Sequence, residues 1–249
     1  MLTEEVEMTA FLRRLAPDFE KRCVAATPGQ IHQLEQIAGR PLPDFYHWFL
    51  RTMGRDAGPF AKARQDFSVD SILAAYKDGL VEPDARFLMI AGDTDEDDPS
   101  VEFYDLDQPA RGDALVLTAR GYDGHRTKRY ETFREMFARA NLIAFKIRRL
   151  PRQCTGNFTD PDGDVSTKLD RTMAELGFAS LVPAGPYCKV LDRSDFAMAG
   201  WTSPSEDRRH LMFFDFGGPD EPALRRLLGE IAAGTGLEIE IDQWAGPKP

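Results

Sequence analysis

The chain has 249 residues, which is enough for one large domain or two of ordinary size. Apolar residues make up 42% and charged residues 29%, a balance that supports a buried core and excludes global disorder. The formal net charge of −10 opposes an encounter with nucleic acid or an anionic membrane, and it favours a basic protein as a partner.

The cysteines and the first residues indicate in which cellular compartment the protein is expected. Cys23, Cys154 and Cys188 are odd in number and widely spaced, so we expect neither a disulfide framework nor a thiolate zinc site. Residues 1–15 carry three glutamates before the first arginine and no apolar run, unlike a secretory signal. No stretch approaches the length of a membrane-spanning helix. These features predict a cytoplasmic protein.

The first predicted elements are helices. Residues 4–15 have amphipathic periodicity and predict a short helix. Thr27 and Gln30 have the spacing of a capping box, and Pro28 suits the first helical position. The helix that follows should end at Gly39, since glycine readily adopts the left-handed conformation of a helix terminus.

A second, aromatic helix is predicted from Pro43 to Gly54. Its apolar side chains recur at helical spacing, at Phe45, Trp48, Phe49 and Met53. We expect this stripe to fill the core rather than to line an active site. Tyr46 and His47 lie off the stripe and are expected at the boundary or in solvent.

After residue 56 the pattern changes to strands. Strands are predicted at 86–92, 101–106 and 114–119, followed by a long helix at 130–147. Residues 151–164 are rich in proline, glycine and aspartate and predict a linker between domains.

The second half repeats the mixture of helices and strands. Helices are predicted at 165–177 and 217–236, and strands at 178–183, 187–192, 196–202, 210–216 and 237–241. Runs of strands flanked by helices predict the α+β class for both halves. The expected organisation is a domain at 1–150, the linker, and a smaller domain at 165–249.

One segment resembles a known family. The motif "IHQLEQIAG" runs into "LPDFYHWFL" and a glycine, as in the SUKH superfamily, with matches at Leu34, Glu35, Gly39, Leu42, Pro43, Phe45 and Phe49. The resemblance covers about residues 25–145 and leaves the C-terminal half unassigned. It implies a mixed sheet with packed helices. It also implies a non-enzymatic role, because members include fungal cell-wall regulators and bacterial immunity proteins that bind and block toxins.

No catalytic or cofactor pattern is present. The four histidines lack paired metal-ligand spacing, and there is no nucleophile elbow or phosphate-binding loop, so no cofactor and no metal is expected. Two aspartate-rich segments, 93–104 and 160–171, begin like calcium loops but lack the glycine and the final glutamate. Cys188, Asp192 and Asp195 are the residues from which a site in the C-terminal half could be assembled.

An acidic run is the main candidate for binding. Eight acids lie between residues 93 and 107, with no lysine or arginine among them: Asp93, Asp95, Glu96, Asp97, Asp98, Glu102, Asp105 and Asp107. Charges of one sign so close together repel, unless they are fully solvated or meet a cationic partner. The run is either a solvated loop or a docking surface for a basic protein.

Three functions follow in order of preference. The first is an immunity protein that neutralises a basic toxin by direct association. The second is a regulatory or scaffold protein of the same fold that binds an endogenous partner. The third is an enzyme with its site in the C-terminal half. The sequence leaves the oligomeric state undetermined.

Overall fold

The structure is a computed structural model that describes residues 3–61, 65–93, 100–122, 124–161 and 163–246. Within these residues there are eight helices and eleven strands arranged in two sheets, which confirms the α+β class. The resemblance implied a mixed sheet, whereas every strand pair in the described part of the chain is antiparallel.

The chain forms two compact units, which are described separately. One unit is Leu12–Arg134, and the other combines Met1–Phe11 with Glu135–Pro249. The division falls before the predicted linker at 151–164, and that segment is part of a sheet, as described below.

Five helices come first along the chain: α1 (Thr3–Leu15), α2 (Phe19–Arg22), α3 (Pro28–Ala38), α4 (Asp44–Met53) and α5 (Val69–Lys77). The predicted capping box of α3 is confirmed. The Gln30 backbone N–H donates to Thr27 Oγ1 at 3.3 Å, and the Thr27 backbone N–H donates to Gln30 Oε1 at 2.9 Å. Gly39 ends the helix at a φ of 64°, as expected.

The first sheet is a meander of five strands in chain order: β1 (Gln65–Asp66), β2 (Phe87–Asp93), β3 (Ser100–Ala110), β4 (Asp113–Arg120) and β5 (Thr127–Tyr130). The three predicted strands correspond to β2, β3 and β4. Arg111 and Gly112 connect β3 to β4 with φ values of 49° and 69°. Two successive positive φ angles suit a tight hairpin between twisted strands.

The aromatic helix α4 is buried along a different stripe from the one predicted. Tyr46 is fully buried and Trp48 is only half-buried, which reverses their expected positions. The buried side chains of α4 are Phe45, Tyr46, Phe49, Leu50 and Met53. Since the apolar residues of α4 cover more than one stripe, their spacing alone does not select the inner one. His47 is half-buried, as expected.

The core of this unit is a cluster of rings centred on Phe133. Its ring centroid lies 5.0–6.3 Å from those of Phe45, Tyr46, Phe49, Phe67 and Tyr104. Tilted and edge-to-face contacts of this kind stabilise aromatic pairs beyond the area they bury. Phe49 therefore serves the core, as predicted for this part of the stripe.

Where a linker was predicted, the structure has the strand β6 (Arg152–Thr159), which follows α6 (Phe133–Phe145). Side chains along β6 alternate between half-buried and buried, with Cys154, Gly156 and Phe158 turned inward. The turn-forming residues that suggested a linker conceal this alternation. The predicted helix at 130–147 is shorter in the structure because Tyr130 ends β5.

The second sheet has six strands. After α7 (Val165–Glu175) come β7 (Ala179–Ser180), β8 (Cys188–Asp192), β9 (Ala197–Trp201), β10 (Leu211–Gly218), α8 (Glu221–Thr235) and β11 (Glu238–Ala245). Their order across the sheet is β11-β6-β10-β9-β8-β7, so β6 lies between β11 and β10. The five strands and two helices predicted for 165–249 are all present.

Helices α7 and α8 cover one face of this sheet. Leu169 of α7 and Leu227 of α8 join the buried cluster that contains Phe158, Phe214 and Phe216 of the strands. Helix α6 packs on the other face, where the Gly185 N–H donates to Glu135 Oε1 at 2.6 Å and Arg139 binds Asp215.

Candidate functional site

The predicted acidic run extends from the end of β2 into β3. Asp93 is half-buried at the end of β2, where the Ser100 N–H donates to its Oδ2 at 3.4 Å. Four members of the run, Asp95, Glu96, Asp97 and Asp98, lie outside the described residues. The other three members are on β3.

Two of these three carboxylates are buried. The Gln65 amide donates to Glu102 Oε1 at 3.1 Å, and Glu102 is only 3% exposed. Asp105 is 1% exposed and accepts two hydrogen bonds from Arg86, at 2.9 and 2.8 Å. Burial alone would raise the pKa of Asp105, but hydrogen bonds from Arg86 and Gln108 outweigh it and lower that pKa. These two acids act within the sheet.

Asp107 is the exposed member of the run on β3. Its Oδ1 accepts a hydrogen bond from Arg40 Nη1 at 2.9 Å, and both side chains remain accessible to solvent. An exposed pair of this kind contributes little to stability and can exchange partners. Among the described members of the run, Asp107 is therefore the one best placed to meet a partner.

A shallow cleft lies beside Asp107. It has a volume of about 360 Å³ and is lined by residues 40–44, by Leu106 and by the hairpin at 109–114. Trp48 and Phe49 are not among its lining residues. The aromatic helix thus has its role in the core, and the cleft is formed by the turn that precedes it.

A buried network lies under this cleft. Tyr104 Oη donates to Asp113 Oδ1 at 2.6 Å, and the backbone N–H groups of Ala114 and Arg134 donate to the same carboxylate, each at 2.9 Å. Burial raises the pKa of Asp113 to about 6, although these hydrogen bonds oppose the shift. Sequence reasoning did not identify Asp113, because a single aspartate after a hairpin glycine is an ordinary turn residue.

The residues proposed for an enzyme in the C-terminal half are not brought together. Cys188 is fully buried at one end of β8, and its thiol lies 4.0 Å from the carbonyl oxygen of Glu135. Asp192, at the other end of β8, binds Lys146. Asp195 is exposed and pairs with Arg193 at 2.8 Å. Each side chain therefore has its own structural partner.

The other two cysteines are poor nucleophiles. Burial raises the pKa of the Cys154 thiol to about 12 and that of Cys23 to about 11. A thiol is reactive as the thiolate, which these environments disfavour. Among the residues that the structure describes, no group of three or more His, Cys, Asp or Glu side chains is arranged to hold a metal ion.

The second sheet has an open area that was not predicted from the sequence. Four residues on adjacent strands form what we call the aromatic row: Trp201 on β9, Phe213 on β10, Asn157 on β6 and Glu240 on β11. The Phe213 and Trp201 rings stack at 6.1 Å with an interplanar angle of 24°. Phe213 is 40% exposed. A signal existed in β10, where Leu211 and Phe213 alternate with the buried Met212 and Phe214.

The aromatic row is open because α6 covers only part of this face. Ala197, Ala199 and Val190 are fully buried, whereas Asn157 is half-buried and Glu240 is exposed. Glu238, on the same face of β11, is exposed as well. An exposed aromatic ring bordered by acids suits contact with a partner that carries positive charge.

Searches of protein families, of curated proteins and of solved structures find nothing that matches this chain. In the part of the chain that the structure describes, none of the helices has the length and apolar character needed to cross a membrane.

Proposed function

We propose that this chain is a non-enzymatic protein-binding module, and that it neutralises a basic bacterial toxin by direct association in the cytoplasm. The observation that carries the proposal is its acidic excess of 41 Asp and Glu over 31 Lys and Arg, which includes the exposed Asp107 of the acidic run. The resemblance of about residues 25–145 to the SUKH superfamily supports the same function.

Internal ion pairs leave the acidic excess in place. Asp105 and Asp107 have arginine partners within the chain, but the 31 cations of the sequence can neutralise at most 31 of its 41 acids. The remainder gives the protein a negative field that accelerates its encounter with a basic surface. Toxins that grip nucleic-acid phosphates present such a surface.

The alternative as an enzyme has less support from the described residues. Cys188, Asp192 and Asp195 lie in separate environments, and burial keeps the thiol of Cys154 protonated. A binding function needs none of these groups to react.

A growth assay tests the proposal. The proposal expects a gene for a basic toxin beside the gene for this chain. That protein is expressed in a sensitive bacterium, with and without the chain, and the purified pair is analysed by size-exclusion chromatography. We expect protected growth and a stable complex. Absence of both would contradict the proposal. Capture of a single endogenous protein without any protection would favour a regulatory or scaffold role instead.

A further inference from the structure

The aromatic row combines the two chemical groups that recognise a guanidinium. The Phe213 ring supplies a face for a cation, and Glu240 supplies a carboxylate. Asn157 lies between them, because Phe213 and Glu240 are both its cross-strand partners. Two strand spacings of about 5 Å each therefore separate the two backbones. A guanidinium placed over Asn157 can reach the ring on one side and the carboxylate on the other.

The same sheet already holds such an arrangement on its other face. The guanidinium of Arg225 lies 4.6 Å from the Trp244 ring centroid and binds Glu221 at 2.8 Å. Arg152 lies 5.9 Å from the same ring and binds Glu221 at 2.6 Å. Ring, carboxylate and guanidinium thus come together at this place on the other face.

Around Phe213 and Glu240 the described residues supply two of these three groups, the ring and the carboxylate. None of the described arginine or lysine residues lies over the Phe213 ring or forms an ion pair with Glu240. The Asn157 amide donates to Glu240 Oε2 at 3.4 Å, which leaves this carboxylate without a charged partner from the described residues. The third group can come from another molecule.

The charges on the face of the aromatic row indicate which kind of molecule can bind there. A second copy of the chain placed face to face would present the same ring and the same two glutamates, and so no guanidinium for them to bind. Nucleic acid is repelled by the same two acids. A basic protein satisfies both the carboxylates and the rings, and arginine suits them better than lysine because its planar guanidinium stacks while it binds a carboxylate.

We infer that the aromatic row is a docking surface for an arginine side chain of a basic protein partner. The inference rests on the proposed function and names a contact surface for it, separate from the acidic run. In this inference Phe213 and Glu240 contact the arginine side chain, and Trp201 on β9 packs against the Phe213 ring.

The probe for this inference is an octa-arginine peptide, with octa-lysine as its chemical control. The chain has three tryptophans, whose indole N–H signals can be followed by nuclear magnetic resonance and assigned with Trp→Phe variants. We expect octa-arginine to shift the signal of Trp201, while those of Trp48 and Trp244 stay unchanged. Octa-lysine should bind there more weakly. A Trp201 signal that does not move would overturn the inference.

Two substitutions with matched controls locate the contact. We expect Phe213→Ser and Glu240→Lys each to weaken the octa-arginine affinity measured at Trp201 by about fivefold or more. Leu80→Ser removes another exposed apolar side chain, and Glu230→Lys reverses an exposed charge on α8; neither should change that affinity. Equal losses in all four variants would mean non-specific attraction and would overturn the inference. Near-ultraviolet circular dichroism verifies that each variant is folded. If Phe213→Ser is unfolded, the affinity of Glu240→Lys alone tests the inference.

The toxin complex separates this inference from the function on which it rests. If the toxin complex forms and is weakened by Glu240→Lys but not by Glu230→Lys, both stand. If the complex forms and is indifferent to Phe213→Ser and Glu240→Lys, the function stands and the docking surface is wrong. If octa-arginine binds at the row but no toxin complex forms, the surface stands and the assignment to a toxin is wrong.

Discussion

The phenol of Tyr104 donates a hydrogen bond of 2.6 Å to Oδ1 of Asp113, at a site where both side chains are buried. The carboxylate also accepts backbone hydrogen bonds from Ala114 and from Arg134, at the beginning of α6. One aspartate thereby ties β3, β4 and α6 together under the cleft at the hairpin.

The first prediction concerns the pH dependence of stability at Asp113. Its pKa in the folded chain is about 6, above the value of about 3.9 expected for an unfolded chain. The folded state therefore binds this proton more tightly, and the contribution of Asp113 to stability increases as the pH falls through that window. Relative to Asp113→Asn, the wild type should gain about 2 kcal/mol of unfolding free energy between about pH 7 and about pH 4.

Urea unfolding of the two proteins across this pH range measures the difference. The comparison with Asp113→Asn removes the contributions of all other titrating groups, since they are common to both proteins. Parallel pH profiles would show that Asp113 does not titrate in this window.

The second prediction compares two neighbouring residues of α4. Phe49→Ala removes a fully buried ring in contact with Phe133 and should cost about 3–5 kcal/mol of unfolding free energy. Trp48→Ala removes a larger ring that is half-buried and packs on Phe45 at 5.2 Å, so it should cost less than half as much. Chemical denaturation gives both values. Equal losses of unfolding free energy would contradict the placement of Trp48 at the edge of the core.

Helix α4 shows what sequence patterns can and cannot determine. The capping box of α3, the glycine at its end and the existence of α4 follow from local chemistry, and all three are present. The inner face of α4 depends on where the sheet and Phe133 lie, which is information from distant parts of the chain. Tyr46 is buried and Trp48 is at the edge for that reason.

Strand β6 is the corresponding example in the other unit. Its sequence contains a glycine, an asparagine and two threonines, and it is followed by Asp-Pro-Asp-Gly, so local composition favours a loop. Its partners, β10 and β11, lie more than fifty residues away along the chain. Pairing with them on both sides overrides the local preference.

The third prediction follows from Gly156 in β6. A Cβ atom added there would lie 2.0 Å from the backbone oxygen of Glu240 and 2.8 Å from Cζ of Phe214, so β11 or the core must move. Gly156→Ala should therefore destabilise the chain by about 2 kcal/mol or more. Hydrogen exchange should show the amides of β11 losing protection first.

Gly229 provides the matched control for that substitution. It lies within α8, and nothing is close to the position of an added Cβ. Gly229→Ala should stabilise the chain by about 0.5–1 kcal/mol, because alanine is the better helix former. If thermal unfolding gave the two variants the same sign, the assignment of a steric role to Gly156 would be wrong.

The candidate binding surfaces were predictable in part. The acidic run is visible in the sequence as charge, but the burial of Glu102 and Asp105 depends on the sheet around them. The aromatic row was not predictable, since its four residues come from four strands that are brought together only by the order β11-β6-β10-β9. Alternation in β10 indicates two apolar faces without showing which one remains open.

The central claim is that the outer negative charge of this chain binds a basic protein. Titration calorimetry of the chain with the basic toxin that the proposal expects beside its gene, at about 50 mM and about 500 mM salt, tests that claim most directly. We predict a stoichiometric complex whose affinity falls markedly at the higher salt concentration, because screening weakens attraction between the opposite charges. Absence of binding at the lower salt concentration, or an affinity that does not depend on salt, would contradict it.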